Sequence, residues 1–431
     1  MFNNYLKTAF RNLKRNKTYS ILNILGLTVG IVVCILIFLY VQDELSYDEF
    51  YKKADRIYRI INRGTIQGNH LERPTVSGPW GPAMVEEFPE VLKAVRIKTP
   101  DSRWTVKYGD KKFFEKGLYF ADPSFLDVFD VELIVGNPET ALDAPYSMVI
   151  TEEMAKKYFK DENPVGKIII ADLWLNLNVT GIMKKHPSSS HMNFDFLVNF
   201  ETLLKAKEPP AGAPPYGDLS RWQNFQVYTY LLLEENASSE IIDEKMPAFL
   251  EKHLGRLIKI PGVELNPYLQ PITDIHLKSH LEGEISPNSN ESYIYIFSAV
   301  AIFILLIASI NFMNLSTARS ANRAKEVGMR KVVGAARSQL IQQFLSESIL
   351  LTFLAAAIAV VSVLLLMPEF NGLTGKNISV SDILHIKTIF ALVGLSILVG
   401  LVSGSYPAFL LTAFRPAEVL AGKFRSKSSG G

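Results

Sequence analysis

The chain has 431 residues, 48% of them hydrophobic and 20% charged, with a formal net charge of +2 and a single cysteine. The net charge hides a split between basic and acidic regions, and the basic residues cluster beside long apolar segments, which gives no support to nucleic-acid binding; one cysteine excludes an intramolecular disulfide. The hydrophobic share is concentrated in four long runs, and these organise everything else.

The first 20 residues hold Lys7, Arg11, Lys14, Arg15 and Lys17 and no acid. Within Tyr5–Asn16, Leu6, Ala9, Phe10 and Leu13 share one helical face opposite the basic residues. This predicts an amphipathic helix in the headgroup layer, or simply a positive anchor. Residues 21–41 follow as an apolar segment of roughly 20 residues, about the length that crosses a 30 Å hydrocarbon core as a helix. The run is too long for a signal-peptide core and no small-residue cleavage site precedes Gln42-Asp43-Glu44, so it reads as an uncleaved anchor. It carries Gly26 and Gly30, four apart on one face, a spacing that lets a neighbouring helix approach closely, within the chain or in a dimer.

Residues 42–292 are polar, with 28 Lys and Arg against 38 Asp and Glu, a net of −10. Asp55–Arg63 alternates with period two and predicts a strand, followed by a helix near Gly81–Phe88 and a strand at Val91–Lys98. Gln226–Leu233 reads as a strand. Ser238–Leu254 reads as an amphipathic helix with Ser238 as N-cap, and Leu265–Ile272 as a further strand. Two βαβ halves therefore flank a strand-rich middle, residues 100–220. Strands are expected there at Phe113–Phe120, Ser147–Thr151, Lys167–Ile170 and Leu175–Ile182, and short helices at Pro123–Val128 and Glu152–Phe159. The Pro-Pro-Ala-Gly-Ala-Pro-Pro run at 209–215 marks a loop or hinge. The expectation is an α+β extracytoplasmic domain with a βαβ subdomain (42–99 and 221–292) and an inserted subdomain (100–220).

Catalytic chemistry is sparse. His276 and His280 have i, i+4 spacing but no third ligand nearby, so a metal site is not expected. His186 and His191 bracket a Pro-Ser-Ser-Ser stretch that reads as a solvated turn. The carboxylates are scattered, and no acid–base pair emerges from spacing.

The remaining apolar runs predict transmembrane helices at 293–315, 347–367 and 387–411. Asn311 and Asn314 lie one turn apart in the first of these and suit an interhelical hydrogen bond. Gly400 and Gly404 repeat the four-residue glycine spacing in the last. The short loop 368–386 contains Gly372-Leu373-Thr374-Gly375-Lys376-Asn377, which lacks the spacing and the Ser/Thr of a phosphate-cradling loop. The loop 316–346 holds Arg319, Arg323, Lys325, Arg330, Lys331 and Arg337 against Glu326. The tail 412–431 is also basic. Short basic loops stay cytoplasmic, which predicts a bacterial inner-membrane protein with both termini and the 316–346 loop inside and 42–292 in the periplasm.

That loop is also where a family resemblance lies. Glu326-Val327-Gly328-Met329-Arg330-Lys331-Val332-Val333-Gly334-Ala335, followed by Gln343-Phe344-Leu345-Ser346-Glu347, closely resembles the signature of FtsX-like permeases. Asn311–Arg319, Tyr406-Pro407-Ala408 and Arg415–Leu420 resemble it too. Ser147–Phe159 and Gly166–Met183 look like the periplasmic core domain of MacB-type ABC transporter permeases. The resemblance implies a non-catalytic membrane subunit of a mechanotransmission-type transporter that exports a peptide, antibiotic-like or lipid-linked substrate. It implies a cytoplasmic ATPase partner, with ATP and Mg on that partner and no cofactor on this chain. Arg323, Glu326, Val327, Gly328, Met329, Arg330, Lys331, Gly334 and Ala335 would form the contact set. A homodimer or pseudo-dimer in the lipid bilayer, a periplasmic adaptor and an outer-membrane channel are further expected partners. The same family admits an FtsX-like regulator that activates cell-wall hydrolases and transports nothing. An envelope ligand sensor is the third reading.

Overall fold

The computed structural model describes residues 17–100, 103–206, 218–318 and 327–413. The Tyr5–Asn16 helix, the 209–215 run, Arg319–Glu326 and Arg415–Leu420 lie outside them. The chain divides into two compact units, residues 44–291 and residues 1–43 with 292–431.

In chain order, helix α1 spans Lys17–Leu45. The domain then runs β1 (Ile57–Ile66), β2 (Asn69–Arg73), β3 (Val76–Ser77), α2 (Trp80–Glu87), β4 (Val91–Lys98), β5 (Trp104–Tyr108), β6 (Lys111–Glu115), β7 (Leu118–Ala121) and α3 (Phe125–Val128). It continues through β8 (Leu133–Val135), β9 (Ser147–Thr151), α4 (Glu152–Phe159), β10 (Ile168–Ala171), β11 (Leu175–Met183), β12 (Phe196–Asn199), α5 (Glu201–Lys205) and β13 (Phe225–Leu233). It closes with α6 (Ser239–Ile258), β14 (Val263–Leu265), β15 (Tyr268–Pro271) and α7 (Ile275–Lys278). The long helices α8 (Glu291–Ala318), α9 (Arg337–Thr374) and α11 (Ile386–Ala413) follow, with the short α10 (Val380–Leu384) between the last two.

In the domain, β1 and β4 both run antiparallel to β13, so β1–α2–β4 is a parallel crossover with β13 between its strands. β13 and β15 are in turn both antiparallel to β1, so β13–α6–β15 is a second crossover with β1 between its strands. The order β15–β1–β13–β4 is the interlocked split βαβ of ferredoxin-like folds. Trp80, Met84, Phe249 and Leu250 bury the helices against it.

The middle of the chain does not fold apart from this layer. β7 pairs antiparallel with β4, and the sheet continues β7–β12–β9–β11–β10–β5–β6. One apolar cluster joins Ile57, Val95 and Tyr230 of the first layer to Tyr119, Phe125, Val149 and Leu197 of the insertion. The expected subdomain boundary at residue 100 is therefore a strand pairing within one sheet. Local differences have local causes. The predicted 113–120 strand breaks at Lys116-Gly117, where Gly117 takes φ +75°. The 265–272 strand breaks at Asn266-Pro267 because proline cannot donate to a ladder. Ser238 stands at the N-cap of α6 but makes no capping bond from its side chain.

In the membrane unit α1, α8, α9 and α11 are each long and apolar enough to cross a bilayer. Helix α9 runs 38 residues through Pro368 to a left-handed Gly375, so much of the expected 368–386 loop is helical. Lys376 turns back from that loop to Asp43 at the end of α1, 2.7 Å away.

Candidate functional site

The first candidate is the turn that joins α8 to α9. Residues 327–332 are helical and end in a tight reversal. The Ala335 N–H donates to the Arg330 carbonyl at 3.0 Å and the Gly334 N–H to the Lys331 carbonyl at 3.1 Å. These nested bonds are a Schellman closure, whose penultimate residue must be left-handed. Gly334 has φ +100°, which explains a glycine at this point of the motif. Val327 and Ala335 pack with Leu340, Phe344, Ala408 and Leu411, so the turn is anchored to both α9 and α11.

The basic side chains brace this turn. Arg330 donates from Nη1 to Gln343 Oε1 at 2.8 Å. Lys331 donates from Nζ to the Thr412 carbonyl at 2.7 Å, at the C-terminal end of α11 where a helix dipole favours a cation. The surface of the turn is apolar instead: Met329, Val332 and Val333 are exposed, Val333 to 84%. Gly328 is buried, and Arg323 and Glu326 lie outside the described residues.

The helices behind the turn pack through the glycines that the sequence singled out. A Cβ on Gly30 would lie 2.9 Å from Ala308 Cβ, and one on Gly26 would lie 3.3 Å from Asn311 Nδ2, so both face α8. A Cβ on Gly400 would meet Ile349 Cα at 2.8 Å, and one on Gly404 the Ser348 hydroxyl at 2.5 Å, so both face α9. Each contact is within the chain. Asn314 is exposed.

The second candidate is a buried polar clamp at the two ends of the domain. The segment entering it, Glu44–Tyr51, is held by side chains far away in sequence. His276 reaches Glu44 at 3.1 Å and stacks on Tyr47 with ring centroids 3.4 Å apart. Asp48, in the left-handed region at φ +60°, accepts from the Ser190 hydroxyl at 2.9 Å and pairs with His191 Nδ1 at 2.8 Å. The other ring nitrogen of His191 meets the Tyr230 hydroxyl at 2.7 Å. Tyr51 contacts His186 at 2.6 Å and Ser190 at 3.1 Å. Beneath them Arg59 forms a two-bond fork with Glu284, at 2.6 and 2.9 Å, and also donates to Gln270 and Ser279.

Burial governs the electrostatics here. It lowers His186 to about 4, with Asp48 opposing and His191 assisting. Burial, then the Asp48 charge, push the Tyr51 hydroxyl well up. For Arg59, burial pulls the wrong way, yet Tyr230 and the Glu284 carboxylate leave it raised. His186 also walls an open cleft of about 960 Å³ shared with Phe50, Lys52, Asp130 and Lys184.

The turn expected between His186 and His191 is solvated at Pro187 and Ser188 but not at its end: Ser190 and His191 are buried, and the His191 ring serves as a bridge. His276 and His280 do not converge, because α7 ends at Lys278 and His280 contacts Asn290 instead. Among the described residues no group of three or more His, Cys, Asp or Glu is arranged to hold a metal.

Residues 20–249 match the MacB-like periplasmic core domain, and residues 298–416 match the FtsX-like permease C-terminal domain. The chain belongs to the MacB-like, FtsX-family ABC transporter permeases. The macrolide export ATP-binding/permease protein MacB of Syntrophobacter fumaroxidans is 22% identical over 468 residues, covering 97% of this chain and 64% of that one. MacB of Bdellovibrio bacteriovorus is 20% identical over 423 residues, covering 96% and 61%. The ABC transporter permease YvrN of Bacillus subtilis is 21% identical over 429 residues, covering 96% and 98%. The chain therefore spans somewhat over three fifths of these MacB relatives and nearly all of YvrN. Among solved structures, a permease-protein domain from Porphyromonas gingivalis aligns with TM-score 0.45 and 27% identity over 51% of this chain and 91% of that one. The periplasmic region of MacB from Actinobacillus actinomycetemcomitans aligns with TM-score 0.37 and 14% identity, covering 52% and 91%.

Within this permease, sequence reasoning found the turn but missed two of its three exposed apolar residues, Val332 and Val333. The only available signal was their position between conspicuous charges. It missed the clamp altogether, since Asp48, His191 and Tyr230 carry no recognisable spacing.

Proposed function

We propose that this permease is the membrane subunit of an ABC transporter whose ATP-hydrolysing partner docks on the turn at 327–335. ATP and Mg²⁺ bind the partner, and closure of a pair of partners pushes the turn of each of two permease copies. The motion passes along α8 and α9 to the periplasmic domain, where it shifts the clamp and the cleft wall at Phe50 and His186. Cargo of the peptide, antibiotic-like or lipid-linked class is thereby delivered outward, through an adaptor and an outer-membrane channel. The contact set is Met329, Val332 and Val333, with Arg330, Lys331, Gly334 and Ala335 fixing its shape; Arg323, Glu326, Val327 and Gly328 are assigned to it by the family resemblance alone.

One observation carries this reading. The turn uses both of its charged side chains, Arg330 and Lys331, to lock itself to α9 and α11, and leaves Met329, Val332 and Val333 in solvent. An exposed apolar patch on a braced element is what a protein partner buries. The test is reconstitution of the full chain with its cognate ATPase in nanodiscs. Val333→Glu is expected to lower complex formation and permease-dependent ATP hydrolysis at least tenfold while leaving thermal stability unchanged. Full coupling in that variant would sink the docking site. A chain that recruits no ATPase at all would sink the transporter reading.

A further inference from the structure

One face of the periplasmic sheet is half bare. Over β7, β12 and β9 it is covered by the cluster that holds Phe125, Leu126 and Phe129. Over β11, β10, β5 and β6 no element among the described residues covers it. The residues on that face are Asn176 and Asn178 on β11, Ile168 and Ile170 on β10, Lys107 on β5 beside a buried Thr105, and Lys112 and Phe114 on β6. Their inward neighbours Trp104, Val106, Ile169, Leu175 and Leu177 are buried against α4. A solvated face is ordinarily polar. This one exposes Ile168 and Phe114, the latter to 69%, and Leu173 at the adjoining hairpin tip.

The charges are equally unusual. Lys107 and Lys112 stand directly opposite each other across β5 and β6, a like-charge pair that costs stability in an isolated sheet. Both are exposed, and neither has a carboxylate partner among the described residues. Among the described residues β6 is also the terminal strand of the sheet, with β5 as its only strand neighbour. This strand is short and carries Lys111, Lys112 and Glu115, the usual guards against indiscriminate strand addition, yet it also presents two adjacent exposed aromatics, Phe113 and Phe114, so only a partner that matches its charge is admitted.

We infer that the β5–β6 ribbon is a docking surface for an acidic, extended segment of a separate envelope protein. That segment adds a strand along β6, lays an apolar side chain on Phe114 and places carboxylates over Lys107 and Lys112. Backbone pairing supplies the affinity, and the lysine pair selects the charge. The inference does not rest on the transporter reading, since it concerns only the surface of the domain.

The test uses the full chain in detergent and two labelled heptapeptides, one alternating Glu with Val and Phe and the other with Lys in place of each Glu. Fluorescence anisotropy is expected to show binding of the acidic peptide at least tenfold tighter than the basic one. Lys107→Glu with Lys112→Glu is expected to invert that preference, and Phe114→Ser to weaken the acidic peptide about fivefold. Unchanged thermal unfolding confirms that these surface variants fold, and Lys112→Ala serves where the double reversal does not. Equal binding of the two peptides, or indifference to the lysine changes, overturns the proposal. So does self-association of the chain that Phe114→Ser abolishes, because the occupant is then a second copy.

Discussion

The membrane helices and the periplasmic clamp are both rigid, but by opposite means. In the bundle, α9 and α11 approach until Gly400 leaves no room for a Cβ beside Ile349 Cα, and the contact has no direction beyond shape. In the domain, Arg59, Glu284, Asp48, His191 and Tyr230 are held by directed hydrogen bonds among buried polar groups. Lipid makes the first solution natural, because it offers no hydrophobic force between helices and rewards close packing. Water outside makes the second possible, since a satisfied buried network specifies one arrangement and penalises every other. Each environment thus fixes its part of the chain by a different means.

Removing one partner of the buried ion pair gives the largest effect. Glu284→Ala leaves the Arg59 guanidinium buried without its carboxylate, and a loss of about 3–5 kcal/mol is expected in denaturant unfolding of the solubilised chain. A loss below about 1 kcal/mol would mean that the clamp is decorative. On the membrane side, Gly400→Leu drives side-chain atoms into the α9 backbone and should cost about 3 kcal/mol. Gly394→Leu, on the same helix with open space around it, is the control and should be nearly neutral. If the two glycines behave alike, shape is not what holds the bundle.

The comparison sharpens with pH. Burial holds His186 near 4, below its ordinary 6.5, so on acidification the unfolded chain takes up this proton before the folded one. Its contribution is therefore fully present above pH 6.5 and falls away as the pH drops toward 4, by up to about 3 kcal/mol. His186→Gln should flatten unfolding free energy against pH in that window, whereas Gly400 variants should leave its slope unchanged. The smallest effect belongs to the turn. Gly334→Ala forces a Cβ into the left-handed region and should cost about 1–2 kcal/mol, read as a lower melting temperature.

Much of the architecture was legible in the residues. Period-two alternation located β1, and strand-like apolar composition located β4, β11 and β13, of which β11 is half buried and alternates in burial. Neither located β5 or β12: Trp104–Tyr108 is short, and Phe196–Asn199 is buried on both faces and has no alternation to detect. The motif at 326–335 revealed that the turn matters. It did not reveal that Arg330 and Lys331 face their own helices while Val332 and Val333 face out.

By itself the chain determined its four crossings, since an apolar run of bilayer length has no alternative to a helix there. It also determined the charge asymmetry between its loops and the strand and helix types of most of the domain, because each depends on neighbours within a few residues. Only tertiary structure decided that β7 adds to β4 and makes one sheet of two expected parts. It alone brought Asp48, His191 and Tyr230 together and left Lys107 facing Lys112 on an uncovered face. The first two of these join residues dozens to hundreds of positions apart, the third depends on what the rest of the sheet leaves uncovered, and all are chosen by which surfaces the whole chain can bury at once, a quantity no local pattern contains.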